Sequence, residues 1–134
     1  MPQLDGSELV EVFKDGERFR VPLRSFSSKI FKVIQDASSA RKARPSDAGC
    51  RIVMTSGSAC SVIIPADSDA VAFDDGAAFE VEQGGAGQVT IAPAAGVTIN
   101  TAETLITAKQ YAALYLVREG ANQWHCCGYQ QAAS

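Results

Sequence analysis

The chain has 134 residues, 46% of them hydrophobic, with four cysteines, one histidine, one tryptophan and a formal charge of -3. That is enough for one compact domain, or a small domain with an extension, and it is neither polar enough for global disorder nor basic enough for an ordinary nucleic-acid binder. A single histidine removes most triad and multi-histidine metal chemistry, no apolar run reaches the roughly 18 residues of a membrane span, and Met1–Gly6 lacks the charged and apolar regions of a secretory leader.

Charge divides the chain. Residues 1–51 hold ten Lys/Arg against seven Asp/Glu, and residues 52–134 hold two against eight. This asymmetry predicts a small N-terminal module, 1–44, for docking and oligomerisation, a linker at 45–49, and an acidic β-rich module over 50–134.

Residues 8–21 read as a hairpin. Glu8–Phe13 is rich in β-branched and apolar residues, Asp15-Gly16 suits a tight turn, and Arg18-Phe19-Arg20-Val21 alternates strictly. Pro22 ends the strand or confines it to an edge. Residues 23–42 then read as a helix. Leu23, Phe26, Ile30, Val33, Ile34 and Ala37 fall at spacings that line one face, and Arg41, Lys42 and Arg44 gather at its end, where cations suit the helix dipole. Heptad positions place Leu23, Ile30 and Ala37 on one seam and Phe26, Val33 and Ala40 on the other. The helix either packs on neighbouring elements or self-associates, and Leu23, Phe26, Ile30, Val33 and Ala37 are the oligomer or docking candidates.

Pro45–Gly49 looks like a linker. After it short β runs alternate with turn clusters: Cys50–Thr55, Cys60–Ile64, Val71–Phe73, Ala78–Glu82, Gln88–Ile91, Val97–Ile99, Leu105–Ile106, Tyr111–Val117 and Gln123–Cys127. The fold class expected is mainly β, a short N-terminal hairpin and helix followed by an antiparallel module, either sandwich, barrel or prism. Trp124 is expected to anchor the end of that module.

No motif carries chemistry. Gly84-Gly85-Ala86-Gly87 precedes a strand rather than a helix, so it reads as a β-turn and not a phosphate cradle. Cys50, Cys60, Cys126 and Cys127 beside His125 do not match zinc spacing and read as buried reduced thiols. Asp67, Asp69, Asp74 and Asp75 straddle a predicted strand and read as solvated turn residues rather than a calcium loop. Arg41, Lys42 and Arg44 lack the interleaved aromatics of a nucleic-acid surface. No catalytic, cofactor-binding or metal-ligating residue is assigned, no cofactor is expected, and neither nucleic acid nor membrane is an expected partner.

Two stretches resemble small structural proteins of tailed bacteriophages, of the head or tail fibre and decoration kind. The first is Leu4-Asp5-Gly6-Ser7-Glu8-Leu9-Val10-Glu11-Val12, then Asp15-Gly16, then Arg18-Phe19-Arg20-Val21. The second is Phe79–Ile91 with Gly96-Val97-Thr98-Ile99-Asn100, Tyr111, and the closing Gly120, Asn122, Trp124 and Gly128. The resemblance implies a non-enzymatic virion protein, made in the host cytoplasm and commonly a homotrimer, whose partners are its own copies and other capsid or tail proteins. A chain this short lacks a long shaft and receptor-binding tip, which favours a short head fibre, a decoration protein or a tail adaptor. The alternative is a carbohydrate- or small-ligand-binding β domain. It would use Tyr111, Tyr115, Tyr129 and Trp124 as stacking surfaces, with a host-surface glycan as partner, unless these rings fill the core.

Overall fold

The computed structural model describes residues 9–14, 17–22, 30–69 and 71–133, with side chains from Ile30 onward. The chain forms two compact units, Met1–Ile30 and Phe31–Ser134. The expected boundary at 44/50 is displaced, and residues 45–49 lie inside the second unit.

In the first unit β1 (Leu9–Lys14) and β2 (Glu17–Pro22) pair antiparallel, with Val10 opposite Val21 and Val12 opposite Phe19. This is the hairpin that the alternation of residues 8–21 predicts. Residues 23–29 lie outside the described residues, and Leu23 and Phe26 with them. From residue 30 the expected helix is overturned. Lys32–Asp36 is a strand, β3, and Ala40–Lys42 is a second, β4. Their spacing of apolar residues fits a helix, but pairing decides the outcome. β3 lies against β5 (Cys50–Met54) and β4 against β6 (Cys60–Ile64), both parallel. β-Branched Val33 and Ile34 suit the pleated surface. Between the strands, Asp36 accepts hydrogen bonds from the Ser38 N–H (2.9 Å) and hydroxyl (2.6 Å), which turns the chain where a helix would continue.

The same step repeats twice. β5 leads through a turn to β6, and β7 (Ala78–Gln83) leads through a turn to β8 (Val89–Pro93). β5 pairs parallel with β7, and β6 with β8. Successive strands therefore stack as coils, β3–β4, β5–β6 and β7–β8, which makes two parallel sheets back to back. The antiparallel module expected from sequence is replaced here by parallel stacking in the manner of a solenoid. Alternation of inner and outer residues is the same in either arrangement, so the strand pattern cannot distinguish them.

Antiparallel pairing begins only at the far end. β10 (Ala113–Gly120) pairs antiparallel with β7 and with β11 (Gln123–Gly128), and β9 (Thr98–Thr101) joins β11 in parallel. The larger sheet thus runs β3-β5-β7-β10-β11-β9, and the smaller runs β4-β6-β8. Expected strands at Val71–Phe73 and Leu105–Ile106 are loop, apart from one bridge between Thr90 and Ile106.

The core is a column between the sheets. The register stacks Ile34, Ile52, Val81 and Leu114 in one file. Ile52, Met54, Val62, Ile64, Val81, Leu114 and Leu116 are fully buried, each contributing about 1.5–3 kcal/mol of hydrophobic stabilisation. Trp124 closes the column as its position in the sequence suggests. Its ring meets Phe73 edge-on at 5.0 Å and Phe79 at 5.8 Å between centroids.

Candidate functional site

The turns joining β5 to β6 and β7 to β8 lie in contact. The N–H groups of Gly84 and Gly85 both donate to the Met54 carbonyl (2.9 and 3.2 Å), and that of Gly87 donates to the Ser56 carbonyl (3.0 Å). A Cβ on Gly87 would lie 1.9 Å from the Ser58 carbonyl oxygen, and one on Gly85 2.3 Å from that of Ser56. The Gly84–Gly87 run is a turn, as expected, and its glycines are needed for close backbone approach.

The first coil ends the column with charge instead of hydrocarbon. Arg41 takes the inward position in register with Val62 and Ile91. Its guanidinium donates to Asp47 (2.7 Å) and to Asp36 (3.0 Å), and Asp47 is 1% exposed. Burial alone would lower the Arg41 guanidinium, and the two carboxylates hold it above its ordinary value. Hydrogen bonds from Ser38, and then Arg41, hold Asp36 below the usual carboxylate range. Lys42 pairs with Asp69. Two of the three cations grouped at 41–44 are therefore engaged within the chain. A groove of about 430 Å³ runs beside β4, between Lys42, Arg44, Pro65 and Val71.

Three of the four aspartates of 67–75, Asp67, Asp69 and Asp75, are likewise engaged. Arg118, in register with Trp124 at the far end of the column, donates to Asp67 (2.6 Å) and to Asp75. Asp67 and Asn122 exchange hydrogen bonds, the Asp67 N–H to the Asn122 side chain (2.7 Å) and the Asn122 N–H to the Asp67 carboxylate (3.0 Å). The Arg118 guanidinium, then the Asn122 N–H, hold Asp67 below its ordinary range. A guanidinium thus occupies the place a calcium reading would give to a cation.

All four cysteines are free thiols, with Cys50, Cys60 and Cys126 buried and Cys127 exposed. Burial pushes the Cys126 thiol up to about 12. Among the described residues no group of three or more His, Cys, Asp or Glu is placed to hold a metal ion. The expectation of buried thiols fails for Cys127 alone, because alternation along β11 turns it outward.

Of the docking candidates, Ile30 is half-buried, while Val33 and Ala37 are exposed. They do not form a helical seam. Val33 instead stands on the outer face of the larger sheet, 57% exposed, in a row that runs Val33, Arg51, Glu80, Tyr115, Cys127 across five neighbouring strands. Arg51 bridges that face, donating to Glu80 (3.1 Å) and to Glu82 (3.0 Å). Phe31, just before β3, is 65% exposed. Trp124 fills the core, but Tyr111, Tyr115 and Tyr129 are exposed. Tyr115 is exposed because it points to the outer face of β10, whereas Tyr111 and Tyr129 lie just outside the strands, in the loop before β10 and after the end of β11.

Comparison of the chain with protein-family models, with curated proteins and with solved structures finds no match.

Proposed function

We propose that this chain is a non-enzymatic structural protein of a tailed-bacteriophage particle, of fibre or capsid-decoration type, which forms a homotrimer and attaches to the head or tail. The observation that supports the reading best is the stacking of parallel coils around one column. Such coils bear load along the stack through backbone hydrogen bonds and leave broad sheet faces for neighbours. The outer face of the larger sheet carries Phe31, Val33 and Tyr115 exposed beside the Arg51–Glu80–Glu82 set. Symmetric copies would bury those groups. The hairpin unit that precedes Phe31 would serve to engage the particle.

Light scattering after size exclusion tests the proposal. The expected mass is three times 14.1 kDa, and Val33→Asp should lower it to that of one chain. A wild-type monomer at every concentration overturns self-association. A trimer indifferent to Val33→Asp moves the contact away from this face.

A further inference from the structure

We propose that Lys109, Tyr111 and Tyr129 form a binding site for acidic polysaccharide, specifically for pyranose rings that carry a carboxylate. Three observations converge on it. Tyr111 is 70% exposed and adopts φ +71°, a left-handed backbone conformation that glycine or asparagine takes at lower cost than a bulky residue. Its ring adds nothing to the core to offset that cost. The loop is nevertheless fixed. The Tyr111 N–H donates to the Gln83 carbonyl (2.7 Å), the Ala112 N–H to the Lys109 carbonyl (3.1 Å), and the Gln110 side-chain amide to the Gly84 carbonyl (3.1 Å).

Tyr129 is held beside the same loop. Its N–H donates to the Ala113 carbonyl (3.0 Å), and its carbonyl accepts from the Ala108 N–H (3.1 Å). The Lys109 ammonium lies 5.4 Å over the Tyr129 ring, and that ring is 55% exposed.

Charge supplies the third observation. Residues 52–134 hold eight carboxylates and two cations, Lys109 and Arg118. Arg118 is engaged by Asp67 and Asp75. Lys109 forms no ion pair among the described residues. Lys109, the one cation of residues 52–134 without an ion pair among the described residues, therefore stands over one exposed phenol ring, two residues before a second in the chain. A sugar ring stacks its C–H face on a phenol, and a carboxylate on that sugar complements the ammonium. One cation is too few for a phosphate backbone, whose binding rests on several. The site needs no oligomer, so it goes beyond the particle role proposed above and is tested apart from it.

The test is affinity electrophoresis of the full chain through gels containing polygalacturonate, alginate, hyaluronate or polysialate, with neutral dextran as control. At least one acidic polymer should retard the protein, less so as NaCl rises, and dextran should not. Tyr129→Ala and Lys109→Gln should each weaken retardation about tenfold, the size expected of one stacked or charged contact. Tyr111→Asn should weaken it as much while leaving Tm unchanged or higher, which separates loss of binding from loss of fold. Silence towards all four polymers overturns the proposal. So does equal retardation of wild type and the three variants, or retardation by oligo-dT that the same variants abolish. A monomer that passes this test would remove the trimer and keep the site.

Discussion

The column of the second unit is closed differently at its two ends. At the first coil the inward positions pass from Val62 to Arg41, and the ion set Arg41–Asp36–Asp47 ends the stack. At the other end Phe73, Phe79 and Trp124 close it, with Arg118 and its two aspartates outside them. The ionic end lies beside edge strands. β3 and β4 each pair on one side only among the described residues, and β4 has three residues. Short, charged edges resist pairing with another chain. The aromatic end is covered by β9–β11 and can be dry. Burial of charge here serves to stop a repeating stack, whereas aromatic packing supplies its stability.

That contrast can be broken most directly at Trp124. Trp124→Ala should cost about 3–5 kcal/mol by urea denaturation, as large-to-small core changes do. Trp124→Phe should cost much less, because Nε1 has no protein acceptor and its removal strands no partner. A similar loss for both variants would mean the indole edge is bonded.

The ionic end should respond to how many partners are removed. Asp47→Ala leaves Arg41 buried with a single carboxylate and should cost about 3 kcal/mol. Replacing Asp36, Arg41 and Asp47 together by apolar residues of similar volume should restore most of that loss, while making the edge prone to association. A triple variant as unstable as Asp47→Ala would show that the set contributes net stability.

Between the ends, Gly87→Ala should destabilise by about 1–3 kcal/mol through overpacking against the Ser58 carbonyl. Gly76→Ala tests the opposite case. Nothing lies near its Cβ position, but its φ of +79° leaves a cost of about 1 kcal/mol.

Acid should act on both ends. Asp36 and Asp67 are held below their unfolded values. The unfolded chain therefore binds protons first as pH falls, and the stability these groups contribute is complete above the unfolded carboxylate range and lost below it. Tm should be flat from about pH 7 to 5 and fall below about 4. Asp36→Asn should start lower and fall less steeply. Parallel curves for the variant and the wild type would remove Asp36 from the acid response. The smallest effect is chemical. A disulfide reagent should modify Cys127 promptly in the native chain, and Cys50, Cys60 and Cys126 only on unfolding.

Much of the strand inventory was legible from alternation and turn residues. Cys50–Thr55, Cys60–Ile64, Ala78–Glu82, Gln88–Ile91 and Gln123–Cys127 fall on β5, β6, β7, β8 and β11 within a residue or two. Three features were not legible. The first coil reads as a helix because Ile30, Val33, Ile34 and Ala37 satisfy that period by chance, and only pairing with Arg51–Met54 overrides it. Parallel and antiparallel strands alternate alike, so the stacking direction is invisible. Arg41 looks like a surface cation until its register with Val62 places it inward. Tyr111 and Tyr129 stand out in the sequence as aromatics, but nothing there places them beside one loop or fixes the face that a tyrosine near a strand takes.

The glycines that press Gly84–Gly87 against the preceding turn have a practical consequence. On that side each coil must reverse within a fixed chain length, because there is no room between one corner and the next. The corners at Gly76 and Gly96 have open space around them. An inserted tag or displayed peptide should therefore be tolerated at the Gly96 corner and rejected at 84–87, while the Gly76 corner is tied down by its N–H bond to the Arg118 carbonyl (2.8 Å) and by the Asp75–Arg118 pair. The molecule has one side that sets its pitch and another that can carry a passenger.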